Sequence, residues 1–164
     1  ATDSLAKGRI KMGKTCCFTG HRNIAKEDEK TLRAAIRQAV VQLLEEGVTE
    51  FRVGGALGFD MMAADELFGL REGNPQLKVH IYVPCMQQDR FYSVEEKSRY
   101  HRQIQAADKI LCVSKEYTRQ CMLQRNQAMV NGSDVCVSYL RRQSGGTAYT
   151  VRYAQQKGCR ILAL

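Results

Sequence analysis

Short apolar runs alternate with longer segments of helical periodicity along almost the whole chain, and this alternation limits the fold most. The apolar runs occupy residues 15–19, 51–53, 77–83, 109–114, 134–139 and 160–164. Most of them place apolar residues back to back, as in Cys16-Cys17-Phe18, rather than at every second position. A strand that is apolar on both faces must be covered on both faces, the pattern of a parallel sheet flanked by helices. Helical spacing is expected over 27–46, 61–70, 94–107 and 120–131, and in a last segment that runs to Gln156. In the first of these, Leu32, Ile36, Ala39, Val40 and Leu43 recur at intervals of three and four. Glu27, Asp28 and Glu29 suit its positive end, and Gly47 is placed to close it. The predicted class is α/β: three layers, with a mostly parallel sheet between helices on both faces.

Three strands run directly into polar, glycine-bearing turns. Thr19-Gly20-His21-Arg22-Asn23 follows the first, and Gly54-Gly55-Ala56-Leu57-Gly58-Phe59-Asp60 follows the second. Ser144-Gly145-Gly146-Thr147 opens the last helix. In a parallel sheet such turns fall at the carboxyl ends of the strands, where ligands bind, so all three should share one edge. Glycine lets a backbone approach a ligand closely. A helix that starts behind it directs free N–H groups and the positive dipole end there, a setting for phosphate. The same glycines also suit a tight strand-to-helix turn that holds nothing, and the residues alone leave both readings open.

The side chains on these turns add chemistry. Thr19, His21 and Arg22 can donate hydrogen bonds to phosphate or ribose, and Arg22 offers a two-pronged fork. His21 is also an acid–base candidate. The alternative is a solvated loop. Asp60 is a further catalytic candidate: it could accept from ribose hydroxyls or activate water, or merely complement a helix dipole. Asp65 reads as a dipole partner. Arg125-Asn126 is either a ligand pair or a solvated one. Phe91 and Tyr92 either stack on a base or pack. Thr147 either meets phosphate or caps its helix. The spacings contain no Gly-x4-Gly-Lys-Ser/Thr loop, no dinucleotide fingerprint and no Gly-x-Ser-x-Gly elbow.

The 164 residues suffice for one domain with a sizeable core. No apolar run approaches the roughly 20 residues that span a bilayer. The N-terminus also lacks the apolar centre of a signal peptide, so a cytoplasmic protein without a membrane partner is expected. Seven cysteines, an odd number without zinc spacing, predict neither a metal site nor a disulfide framework. Cys16, Cys17, Cys112 and Cys136 read as small hydrophobes inside strands, and Cys85 as a loop residue. The net charge is +8, of which Lys7, Arg9, Lys11 and Lys14 against Asp3 contribute +3. Residues 1–13 read as a flexible leader ahead of one domain, 14–164. What remains is mildly basic. That favours a small anionic ligand and argues against nucleic acid as the main partner without excluding it.

Five segments in order carry a resemblance: Thr19-Gly20-His21-Arg22; Gly54-Gly55-Ala56-Leu57-Gly58-Phe59-Asp60 with Ala63-Ala64-Asp65; Arg125-Asn126-Gln127-Ala128-Met129; Ser133-Asp134; and Gly145-Gly146-Thr147-Ala148-Tyr149-Thr150-Val151. Together they resemble the SLOG superfamily, in particular its YpsA-like (DUF1273) branch, from about Lys14 to the C-terminus. The resemblance implies a Rossmann-like fold that binds a nucleotide or nucleotide-derived ligand as a sensor or binding domain. It needs no other cofactor, and a homodimer is a weaker expectation. Carried over by position, the ligand residues are Gly20, His21, Arg22, Gly54, Gly55, Gly58, Asp60, Arg125, Asn126, Gly146 and Thr147. Thr19 and Gly145 join them from the turns themselves.

Wider relatives include nucleoside 5′-monophosphate phosphoribohydrolases and DNA-processing proteins that bind single strands, which supply the alternative functions. The hydrolases carry Pro-Gly-Gly-x-Gly-Thr-x-x-Glu in the second glycine turn. Thr150 stands here in place of that Glu, which weighs against N-glycosidic hydrolysis.

Overall fold

A computed structural model describes residues 13–164. The leader expected over 1–13 lies outside them, except for Gly13. Six strands form one sheet: β1 Lys14–Gly20, β2 Val48–Val53, β3 Lys78–Cys85, β4 Lys109–Ser114, β5 Val135–Tyr139 and β6 Arg160–Ala163. Five α-helices connect them: α1 Glu29–Glu45, α2 Phe59–Arg71, α3 Val94–Ala106, α4 Cys121–Val130 and α5 Gly146–Gln156. The strand order is β4-β3-β2-β1-β5-β6 and every pairing is parallel. The fold is the predicted α/β Rossmann-like sandwich, with no antiparallel strand among the described residues.

The back-to-back apolar residues of β1 explain the layers. Cys16 and Phe18 face a core formed with α1 and α2, where Leu32, Ile36, Val40, Phe51 and Phe59 are buried. Cys17 faces the other side, in a smaller cluster with Met129, Val130, Cys136 and Ala154 from α4, β5 and α5. Each fully buried large side chain contributes about 1.5–3 kcal/mol. Phe59 lies 6.2 Å from Phe18 and stacks on Tyr139 at 5.9 Å, centroid to centroid. It therefore ties the start of α2 to β1 and β5.

Several boundaries differ from expectation. Strand β2 begins at Val48, ahead of the apolar stretch, because Lys14 and Thr15 of β1 pair with Val48 and Glu50. Pro84 does not close β3: the ladder with β2 ends at Ile81, while that with β4 reaches Cys85. A proline there costs no bond to the inner neighbour. Cys85 is therefore a buried strand residue, and burial pushes its thiol pKa up. Cys112, read as interior, is exposed, because β4 is the sheet edge.

The chain order reverses once. Strands β1 to β4 build outward in one direction, and β5 then returns to the other side of β1. The carboxyl ends of β1 and β5 therefore flank a switch point, where adjacent connections leave towards opposite faces and a crevice opens.

Candidate functional site

A cavity of about 380 Å³ lies at this switch point. From the turn after β1 it is lined by Thr19, Gly20, His21, Arg22 and Asn23, and from the β5–α5 turn by Arg142, Ser144, Gly145, Gly146 and Thr147. Asp60 of α2, and Met122, Arg125 and Asn126 of α4, complete the wall. Two of the three predicted turns thus meet around open space. The third contributes only Ala56 and Asp60, and Gly54, Gly55 and Gly58 do not line the cavity.

The Gly54-to-Gly58 turn, the first of the two that lead into a helix through paired glycines, is filled by the protein itself. Gly58, the N-cap of α2, has φ +78°, and a Cβ there would sit 2.1 Å from the Arg22 carbonyl oxygen. The Phe59 N–H donates to the His21 carbonyl at 3.1 Å, so the start of α2 is capped by the β1 turn. The Gly54 carbonyl accepts from Arg125 Nη1 and from Gln88 Nε2. The Gly55 carbonyl accepts from the Tyr92 hydroxyl at 3.1 Å. At Gly54, a Cβ would meet Arg125 Nη1 and Asp60 Oδ2 at 2.7 Å. These glycines give room to neighbouring protein groups.

Arg125 is buried, and the same Nη1 also donates to the Tyr82 carbonyl and Gln88 Oε1, both at 3.2 Å. Asp60 is buried near it and accepts from the Ala56 N–H at 3.3 Å. Burial pushes the Asp60 carboxyl pKa up, opposed by the positive charge of Arg125. Burial likewise pulls Arg125 down, opposed by Asp60. These two act first as a structural knot within the cavity wall. Asn126 accepts from Arg125 Nε through Oδ1, which leaves its amide N–H groups to the cavity.

The second turn is open. Gly145, the N-cap of α5, has φ +98°, and no side chain caps this helix. A Cβ on Gly145 or Gly146 would meet nothing within 4 Å. The Gly146 and Thr147 backbone is thus an uncapped helix start beside the cavity, with the positive end of the dipole. Thr147 is buried; Thr150, one turn on, donates its hydroxyl to the Gly146 carbonyl at 2.8 Å. Arg22 and Arg142 are exposed. Among the described residues, neither side chain forms a hydrogen bond or ion pair. With Arg125 they set three guanidinium groups against a single carboxylate, Asp60, among the described lining residues.

His21 has a definite structural task. Its Nε2 accepts the Arg141 N–H at 2.8 Å, joining the β1 and β5 turns. Accepting at Nε2 requires the neutral ring. Burial, with Arg142 and Arg141 close by, pushes its pKa below the ordinary histidine value. Sequence reasoning missed two lining features. Arg142 lies in no familiar motif, and Met122 looked like any apolar helix residue. Other residues of the resemblance are structural. Asp134 accepts the Thr15 N–H at 2.9 Å, and Ser133 donates to the Met129 carbonyl. Asp65, expected to serve the helix dipole, instead binds Arg99 at 2.6 Å and Gln103 at 2.8 Å, tying α2 to α3.

Among the described residues, no group of three or more His, Cys, Asp or Glu is placed to hold a metal ion. No helix among them is long and apolar enough to cross a membrane.

An all-parallel sheet with its crevice at the switch point defines a Rossmann-like α/β protein. The model of the YpsA family, described as the YspA SLOG family, matches residues 16–160, and the chain belongs to that family. It is 26% identical over 154 residues to the UPF0398 protein YpsA of Bacillus subtilis, covering 88% of this chain and 86% of that one. It is 31% identical over 102 residues to a UPF0398 protein of Bacillus licheniformis, covering 58% of this chain and 56% of the relative. Among solved structures, DNA processing protein A of Helicobacter pylori, described with a single-stranded DNA binding mode, superposes with a TM-score of 0.65 at 20% identity. The same protein from Streptococcus pneumoniae superposes with a TM-score of 0.67 at 19% identity. Both superpositions cover 94% of this chain, but only 66% and 50% of those proteins.

Proposed function

We propose that the protein binds a phosphate-bearing nucleotide or nucleotide-derived ligand in the switch-point cavity, as a binding or sensor domain. The observation that carries this reading is the pairing of two unengaged guanidinium groups, Arg22 and Arg142, with the uncapped start of α5 around one open space. Guanidinium groups and helix N–H groups are both recurrent protein partners of phosphate. In this reading the phosphate sits at Gly146 and Thr147, Arg22 and Arg142 clamp it, and Asn126 and Thr19 meet the sugar. Binding is favoured over hydrolysis. The only carboxylate among the described lining residues, Asp60, is buried and takes up the Ala56 N–H, and α5 offers Thr150 rather than an acid.

Single-stranded nucleic acid is the second reading, supported by the fold shared with DNA processing protein A. A strand neutralises several cations at once, so its affinity falls steeply with salt, whereas a single phosphate gives a shallow slope. A thermal-shift screen with pyrophosphate, AMP, ADP-ribose and NAD separates these readings from none at all. The proposal expects a concentration-dependent rise in Tm with at least one of them, lost in Arg142→Ala. No rise with any of them at millimolar concentration, together with salt-steep binding of an oligonucleotide, would overturn it.

A further inference from the structure

The same sheet edge carries a second hollow, of about 230 Å³, at the carboxyl ends of β3 and β4. Arg22 and Met122 line both hollows, so the second continues the first. Its walls are of a different kind. Phe91 is 85% exposed and Tyr117 is 61% exposed, although large aromatic rings are normally mostly buried. The Arg90 guanidinium lies 4.6 Å from the Phe91 ring centroid and 5.8 Å from that of Tyr117, so one cation gathers both rings.

The loop treats its two adjacent aromatic residues oppositely. Tyr92 packs edge-on against Tyr100 at 5.7 Å and donates its hydroxyl to the Gly55 carbonyl. It anchors the loop to the filled glycine turn. Phe91, the residue before it, is exposed and lines the hollow. Displayed rings beside a cation, next to an arginine-lined phosphate cavity, match the way proteins take a planar heteroaromatic base: by stacking, with the charge alongside.

We infer that the second hollow holds the nucleobase of the ligand whose phosphate occupies the first, with Phe91 and Tyr117 as stacking rings and Arg22 at the junction. This rests on the phosphate reading of the switch-point cavity. A free nucleotide and a nucleotide within a single strand present the same base and phosphate, and the arms of the test separate the two sources.

The test is calorimetric titration of the intact chain with ribose 5-phosphate, AMP and an oligo(dT) strand. Stacking of one base contributes about 1–3 kcal/mol, so AMP is expected to bind roughly tenfold or more tightly than ribose 5-phosphate. The double substitution Phe91→Ala with Tyr117→Ala should erase that gain and leave ribose 5-phosphate binding unchanged. Both rings are exposed, and an unaltered Tm checks that the fold is intact. If only the oligonucleotide binds and the double variant abolishes it, the base site stands and its source is a strand. Equal wild-type affinities for AMP and ribose 5-phosphate, or equal weakening of both in the double variant, would overturn the base site and leave the phosphate cavity standing. Binding by none of the three would overturn the cavity reading and the base site with it.

Discussion

The two glycine turns look alike in sequence and do opposite things in the fold. Gly54 to Gly58 leads from β2 into α2, and Gly145-Gly146 leads into α5. At the first, the missing Cβ atoms make room for Arg22, His21, Arg125 and Asp60 of the same chain. At the second, they face nothing within 4 Å. Neither helix has a side-chain cap, but the Phe59 N–H at the start of α2 is taken by the His21 carbonyl, whereas among the described residues no such bond forms at the start of α5. A glycine turn before a helix is therefore a site only when the chain leaves its N–H groups unspent. The first turn is the scaffold that fixes the β1 turn in place, and the second presents its backbone to open space.

Substitutions can break that comparison. The largest effect is expected for Arg125→Met, which removes bonds to Gly54 and Tyr82 and leaves the Asp60 carboxyl buried without its opposing charge. Stability should fall by about 4 kcal/mol in urea denaturation. Gly58→Ala follows, at about 3 kcal/mol, because its Cβ strikes the Arg22 backbone and its φ disfavours any side chain. Wild-type stability in either variant would mean that the first turn is not a scaffold.

On the open side the expected losses are in affinity. Arg142→Ala should weaken AMP binding by about 2 kcal/mol, roughly thirtyfold, with stability changed by less than about 0.5 kcal/mol. Gly146→Ala should weaken it by about 1 kcal/mol through its new methyl group, again without loss of stability. The smallest effect is one of pH. The His21 pKa is lowered in the folded state, so its contribution is complete above the unfolded value of about 6.5. It is lost as pH falls from there through the folded value. His21→Asn should flatten that part of the stability–pH curve, and an unchanged slope would show that burial and the neighbouring arginines do not depress the His21 pKa.

The layered fold was legible because its signal repeats along the chain. Runs such as Cys16-Cys17-Phe18 admit only a strand buried on both faces, and the helical spacing of Leu32 to Leu43 survived unchanged. The convergence of the β1 and β5 turns followed from parallel topology alone. Which glycines face open space was not legible. That depends on the carbonyl of Gly54 meeting Arg125, 71 residues away, and on Arg22 folding back over Gly58. Arg142 escaped notice because its role comes from position on a turn, not from a motif. Cys112 was misplaced because a sequence does not declare which strand is the edge.

The most direct test is an amide-resolved NMR titration of the labelled protein with AMP. The account predicts saturable shifts of the Gly145, Gly146 and Thr147 amide signals, with Gly55, Gly58 and Phe59 responding weakly. Shifts centred on Gly55, Gly58 and Phe59, with the Gly146 and Thr147 signals unmoved at saturation, would contradict it.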